Sequence, residues 1–238
     1  MGPSPSPLDH KAKISEVFRS IQGEGKYAGV PQVFVRFFGC HMHCVWCDTP
    51  DSIGDGKQEF QEYGITDLLK EIRPLAKGCH SISLTGGEPL MQVDFLREFL
   101  PSLKAIGFTT YLETSGVLYQ ALAKVVRWMD IIAMDLKLPS STGCRPFWKE
   151  HKEFLQIARR KEGFIKTVIS KDTTPVDIMT AVRLVAKIAP ETTLILQPNT
   201  FDLNHSVVQR CLDMQNVCRK YLEDVRILPQ LHKFMNLR

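Results

Sequence analysis

From Ile14 onward the chain alternates short runs of β-branched and aromatic residues with longer stretches whose apolar positions repeat at helical spacing. The short runs predict strands over 33–38, 81–85, 108–113, 131–136, 164–169, 193–197 and 225–228. The first is broken only by Arg36. A helix is predicted over 65–72, with Thr66 as its cap, Leu68, Leu69 and Ile72 on one face, and Pro74 near its end. A second, over 93–106, places Val93, Leu96, Leu100 and Leu103 on one side, and Pro101 predicts a kink or break within it. A third runs over 175–188 behind Thr174 as cap and Pro175 at the first helical position. The last, 206–221, puts Val208, Cys211, Leu212 and Cys218 on one face.

Repeated strand–helix units predict a parallel sheet with right-handed crossovers. A closed eight-unit barrel takes roughly 250 residues, whereas this chain spends its first thirty or so before the first predicted strand. The expected α/β fold is therefore an incomplete TIM-like barrel of about six parallel strands with flanking helices, a doubly wound sheet being the alternative. Residues 1–13 read as a flexible arm and 14–238 as one domain. In either architecture, ligands gather at the carboxyl ends of the strands.

Composition narrows the function. A net charge of +4 over 238 residues is small, and the basic residues are dispersed, which argues against nucleic acid as the substrate. The first residues lack an apolar signal region, and no later stretch reaches the apolar length of a membrane span. The expectation is a cytoplasmic protein. Seven cysteines make an odd, irregular set, and Cys40, Cys44 and Cys47 crowd directly behind the first predicted strand. That pattern fits a metal site better than a disulfide framework.

The C-x3-C-x2-C spacing lets three thiolates hold three irons of a cubane 4Fe-4S cluster and leaves one iron open to a small molecule. The alternative is a structural zinc site completed by His41 or His43. Further chemical groups close later strands: Thr85-Gly86-Gly87-Glu88-Pro89, then Glu113-Thr114-Ser115-Gly116, then Asp135-Leu136-Lys137, then Gln197-Pro198-Asn199. The glycines allow close backbone approach to a ligand. Lys137 can meet a carboxylate or pair with Asp135.

The triplet with Trp46 before its last cysteine resembles the signature of the radical S-adenosylmethionine enzymes. This resemblance implies a 4Fe-4S cluster on Cys40, Cys44 and Cys47 and S-adenosyl-L-methionine on its open iron. It implies contacts to that cofactor from Trp46, Asp48, Gly86, Gly87, Glu88, Glu113, Ser115, Asp135, Lys137, Gln197, Pro198 and Asn199. The cofactors carry the radical chemistry, and no side chain is expected as a separate catalytic group. Within the superfamily, the Ser20-Ile21-Gln22-Gly23-Glu24-Gly25 block, Arg36, the Cys47-Asp48-Thr49 step and the Leu228-Pro229-Gln230-Leu231-His232 segment are similar to the 7-carboxy-7-deazaguanine synthases. That family converts 6-carboxy-5,6,7,8-tetrahydropterin to 7-carboxy-7-deazaguanine with loss of ammonia, in queuosine and 7-deazapurine biosynthesis. The likeness implies substrate contacts from Ile21, Gln22, Gly23, Glu24, Arg36 and Thr85, and Mg2+ on Thr49. It also implies a flavodoxin- or ferredoxin-like reductant and a homodimer. Gln22 and Glu24 suit the amide and amino edge of a pterin, and Arg36 suits its carboxylate. The competing expectation is a glycyl-radical-enzyme activase, whose protein substrate needs no pterin-reading block.

Overall fold

The computed structural model describes residues 10–55 and 59–237. Their strands form one open sheet in the order β3-β1-β2-β4-β5-β6-β7-β8-β9. The strands are β1 Ala12–Ile21, β2 Pro31–Phe37, β3 Gln61–Tyr63, β4 Ser81–Gly86, β5 Thr110–Thr114, β6 Ile131–Asp135, β7 Glu162–Ile169, β8 Leu194–Pro198 and β9 Val225–Ile227. From β2 through β9 every neighbour is parallel. The unclosed α/β sheet matches the incomplete barrel, with seven parallel strands where about six were expected. Two antiparallel strands were not anticipated. β1 pairs with β2 and β3 pairs with β1. β1 escapes a pattern search because a register shift between Ile14 and Glu16 interrupts its alternation. It also takes in Ala12 and Lys13, which were assigned to the arm; residues 1–9 of that arm lie outside the described residues.

The helices are α1 Ile65–Leu75, α2 Val93–Ala105, α3 Tyr119–Val125, α4 Pro139–Thr142, α5 Trp148–Ala158, α6 Pro175–Ile188, α7 His205–Cys218 and α8 Leu231–Phe234. α6 starts as predicted, with Thr174 Oγ1 accepting from the Asp177 amide at 3.3 Å. Elsewhere packing overrides local signals. α1 is preceded by Gly64 rather than capped by Thr66, and it runs through Pro74. α2 is continuous through Pro101. Its buried face of Phe95, Leu96, Phe99, Leu100 and Leu103 outweighs one lost backbone bond, whose acceptor residue, Arg97, is exposed to water. In α7 the buried positions are Val207, Cys211, Met214 and Cys218, while Val208 and Leu212 face solvent. α3 and α5 were not predicted, although Phe154, Leu155 and Ala158 of α5 do recur at helical spacing.

The pleat sorts the parallel strands into two faces. Leu84, Leu112, Ile132, Met134, Ile165, Leu194 and Leu196 point to the helices and form the main core. On the other face, Tyr111, Ile131, Ala133, Phe164 and Ile195 make a smaller apolar plug toward the amino ends of the strands. One pleat further along each strand the same row turns polar, as Thr85, Glu113, Asp135, Lys166 and Gln197. Those positions are at the carboxyl ends, which is where a parallel sheet opens its ligand site.

Asp130 joins β5 to β6 from below the sheet. It accepts from Lys104 Nζ at 2.6 Å, the Thr110 amide at 2.8 Å and Thr110 Oγ1 at 3.1 Å. Burial works to raise its pKa, but these donors outweigh burial and hold it below the usual carboxylate value. The resulting stabilisation is complete above the unfolded-state value of about 3.9 and fades as pH falls through the folded one. Asp130→Asn should cost about 1 kcal/mol at neutral pH, a figure reduced for the partial exposure of the pair. It should also flatten the loss of thermal stability below about pH 4, as read by circular dichroism melts.

Candidate active site

One cavity of about 370 Å³ opens at the carboxyl ends of the strands, and it collects most of the residues singled out from the sequence. Cys40, Cys44 and Cys47 line one wall, half-buried. Their loop is set by backbone bonds: Cys40 N to Ile53 O at 3.1 Å, Cys47 N to Cys44 O at 3.0 Å, and Val45 N to Thr142 O at 3.0 Å. Burial pushes the Cys44 thiol up to about 12 and raises Cys40 as well. Gly87 explains itself here, since a Cβ would lie 2.1 Å from Gly39 O and 2.8 Å from Ser52 O. The two loops touch backbone to backbone. Gly86 has φ +122, and its Cβ would meet Phe37 O at 2.2 Å.

The Gln22-Gly23-Glu24 loop lines the same cavity. Gln22 is buried, donating from Nε2 to Gln32 Oε1 at 3.0 Å and to Glu113 Oε1 at 2.7 Å. Its side-chain Oε1 accepts from the Glu24 amide at 3.0 Å. Glu24 reaches Lys166 Nζ at 2.8 Å and accepts from Gln197 Nε2 at 3.0 Å and Gln230 Nε2 at 2.6 Å. Burial opposes its ionisation, and the Lys166 ammonium outweighs burial and keeps the carboxyl below its ordinary value. Gly23 is required because the His232 ring occupies the space a Cβ would need, 1.9 Å away. Arg36 donates through Nε to Glu16 at 2.6 Å and lies 5.7 Å over Phe18, which stacks on Phe34 with ring centres 5.1 Å apart. Ile21, Thr85, Phe18 and Phe34 complete this half.

Several expected ligand residues turn out to be engaged with the protein itself. Glu88 is fully buried and does not line the cavity. It accepts from Thr114 Oγ1 at 2.9 Å, the Ser115 amide at 2.8 Å, Ser115 Oγ at 2.6 Å and the Leu90 amide at 3.1 Å. Its carboxylate ties the β4 loop to the end of β5 instead of presenting itself to a cation. Pro198 is likewise off the cavity. Glu113 turns toward Gln22, Ser83 and Thr85. The Trp46 indole donates to Ser141 O at 2.6 Å. Asp48 accepts from Gln230 at 3.0 Å. Asn199 caps its own turn, accepting from the Phe201 amide at 3.3 Å. Asp135 pairs with both Lys137 at 2.8 Å and Lys166 at 3.0 Å. Thr49 Oγ1 lies 3.9 Å from Cys47 Sγ. Lys166, Gln230 and His232 also line the cavity, with no role assigned to them from the sequence. The signal for Lys166 was a charged residue inside a buried strand, the same signal that singled out Arg36.

Residues 34–196 match the Radical SAM superfamily. Over 94% of this chain and 97% of its own length, the 7-carboxy-7-deazaguanine synthase of Geobacter sulfurreducens is 38% identical. That of Thermoplasma acidophilum is 35% identical over 93% and 96%. The chain belongs to the radical SAM superfamily and, within it, to the 7-carboxy-7-deazaguanine synthases. The crystal structure of QueE from Escherichia coli shares the fold, with a TM-score of 0.66 and 21% identity over 93% of this chain and 95% of that one.

Membership of the superfamily implies a 4Fe-4S cluster and S-adenosylmethionine, and the residues present fit them. Three thiols of one loop line the cavity wall. Among the described residues no three His, Cys, Asp or Glu side chains converge on a point as ligands of a single ion. A cubane does not ask them to, since each thiolate takes a different iron. In the lining of the same cavity, Gln197 Oε1 and Asp135 Oδ1 are buried with no hydrogen-bond partner among the described residues, a state that a polar ligand in the cavity relieves. No described helix is long and apolar enough to cross a membrane.

Glu88 offers the sharpest test of this synthase site. Glu88→Gln places an amide nitrogen against donors and should cost about 1.5–3 kcal/mol, seen as a lower melting temperature of the purified protein. An unchanged melting temperature would mean that these donors do not hold the β4 loop to β5.

Proposed function

We propose that this chain converts 6-carboxy-5,6,7,8-tetrahydropterin to 7-carboxy-7-deazaguanine with loss of ammonia, the product being the one that its relatives' name denotes. The observation that carries this reading is the convergence, in one cavity, of the cysteine triplet with the Gln22, Glu24 and Arg36 set. When bound, the reduced cluster and S-adenosylmethionine supply the radical that initiates ring contraction. The chain's own residues bind, orient and exclude water.

Gln22, Glu24 and Thr85 read the donor–acceptor edge of the pterin, with Ile21 and Gly23 packed beside them. Phe18 and Phe34 form an aromatic wall for a flat ring, next to the guanidinium of Arg36. Arg36 meets the substrate carboxylate through the NH2 groups beyond its Nε–H, which Glu16 engages. Glu16 thereby orients the fork. On the cluster side, Gly86, Gly87, Ser115, Lys137, Gln197 and Asn199 surround the S-adenosylmethionine, with Trp46 and Asp48 shaping its edge. Lys137 lies 4.7 Å over the Trp46 ring, which fixes both. Thr49 holds Mg2+ together with substrate oxygens and water, the sparse protein ligation usual for that ion. The substrate is a small molecule. The electron donor is a flavodoxin- or ferredoxin-like protein, and the active form is a homodimer. The activase alternative finds no support in these relatives, which are synthases by name.

Anaerobic reconstitution followed by dithionite, S-adenosylmethionine, Mg2+ and carboxytetrahydropterin should yield a deazaguanine chromophore. Cys44→Ala should abolish product and bound iron together. Arg36→Ala should spare the iron and raise KM for the pterin about tenfold or more, the worth of a charge-assisted fork. An arginine variant with wild-type KM overturns the substrate pose.

A further inference from the structure

Lys166 stands on β7 in register with Asp135 of β6. Its ammonium lies 2.8 Å from Glu24 Oε2 and 3.0 Å from Asp135 Oδ2, and the latter oxygen also meets Lys137 at 2.8 Å. All four side chains are nearly buried, the most exposed at 16%. Carboxylate, ammonium, carboxylate and ammonium thus run in a row across the floor of the cavity with no net charge, the arrangement a low-dielectric site demands. The row begins in the Gln22-Gly23-Glu24 loop and ends under Trp46 at the cysteine loop.

We infer that Lys166 is the positioning residue for substrate recognition: its ammonium fixes Glu24 as a carboxylate acceptor and so selects a ligand edge that presents adjacent N–H donors. This rests on the reading that Glu24 faces the pterin. The other partners of Glu24 are the neutral amides of Gln197 and Gln230, and an amide holds a carboxylate less strongly than an ammonium does. The remaining titratable groups around it are Asp135 on β6, Tyr111 and Glu113 on β5, Asp48 across Gln230, and His232 over Gly23. Without Lys166, two buried carboxylates would share the floor, and one would take up a proton. A protonated Glu24 presents a donor where the pterin also presents one. Removing the cation is therefore expected to harm substrate binding most at low pH, where Glu24 would be protonated. Recovery should come as pH rises through its elevated value. The sign is opposite for a group that must be protonated to bind.

The test compares Lys166→Gln and Lys166→Arg with wild type as reconstituted holoenzymes, measuring kcat and KM for carboxytetrahydropterin between pH 6 and 8.5. Lys166→Gln keeps a donor and similar bulk but no charge. Its KM should be about tenfold above wild type at pH 6 and approach it as pH rises, with kcat and iron content little changed. Lys166→Arg retains the charge and should show the wild-type profile. A Lys166→Gln KM that parallels wild type across the range overturns the inference, as does a Lys166→Arg profile with the pH dependence expected of the glutamine variant. Loss of kcat, KM and cluster together at every pH identifies a merely structural residue and also overturns it. Wild-type protein that does not turn over the pterin overturns the functional reading itself; turnover by wild type combined with either adverse variant result overturns this inference alone.

Discussion

A charge buried in a protein interior must be paired, and at the open end of this sheet that requirement organises everything else. Glu24, Lys166, Asp135 and Lys137 alternate in sign within 3.0 Å of one another along the row. They link the strand-borne floor to the loop that carries Gln22 on one side and to the cysteine loop on the other. A single isolated carboxylate at this depth would take up a proton. The alternating row keeps all four groups charged, so that the floor of the cavity is polar above the apolar plug.

The period of the strands turns that requirement into geometry. Alternate residues of β4 to β8 serve the helical core, and the intervening ones face the cavity side. Along that second row, apolar plug residues give way to polar ones within a single pleat: Tyr111 to Glu113, Ala133 to Asp135, Phe164 to Lys166, Ile195 to Gln197. The plug excludes water from below while the polar residues converge above it. A one-residue slip in β5, β6 or β7 would exchange a core aliphatic residue for a buried charge, so the register of the sheet and the chemistry of the site are specified together.

Backbone contacts finish the site. Gly87 against Gly39 lets the β4 loop lie on the cysteine loop, and Gly23 under His232 brings the C-terminal segment over the substrate half. Glu88 cements the β4 loop to β5 with four donors from Leu90, Thr114 and Ser115. Its motif resembles a ligand signature, and its carboxylate is held by the protein's own donors. Thr85, Gly86 and Gly87 are the parts of the motif that line the cavity.

By itself the sequence determined the parallel α/β class, the cysteine loop behind the first parallel strand, and most residues that gather at the strand ends. Each of these is local: a strand's composition, a spacing within one loop, a polar residue closing an apolar run. It did not reveal the antiparallel β1, whose alternation is broken by a register shift, or the persistence of α2 through Pro101, which depends on a buried face supplied by the sheet. Nor did it separate Glu88 from true cavity residues, or mark Lys166 and Gln230 as partners of Glu24. The Glu24 pairings are decided by contacts between residues 142 and 206 positions apart in the chain, and the burial of Glu88 by contacts from the end of the next strand, 26 and 27 positions on. Only tertiary structure brings such charges close enough, and far enough from water, for their pairing to matter.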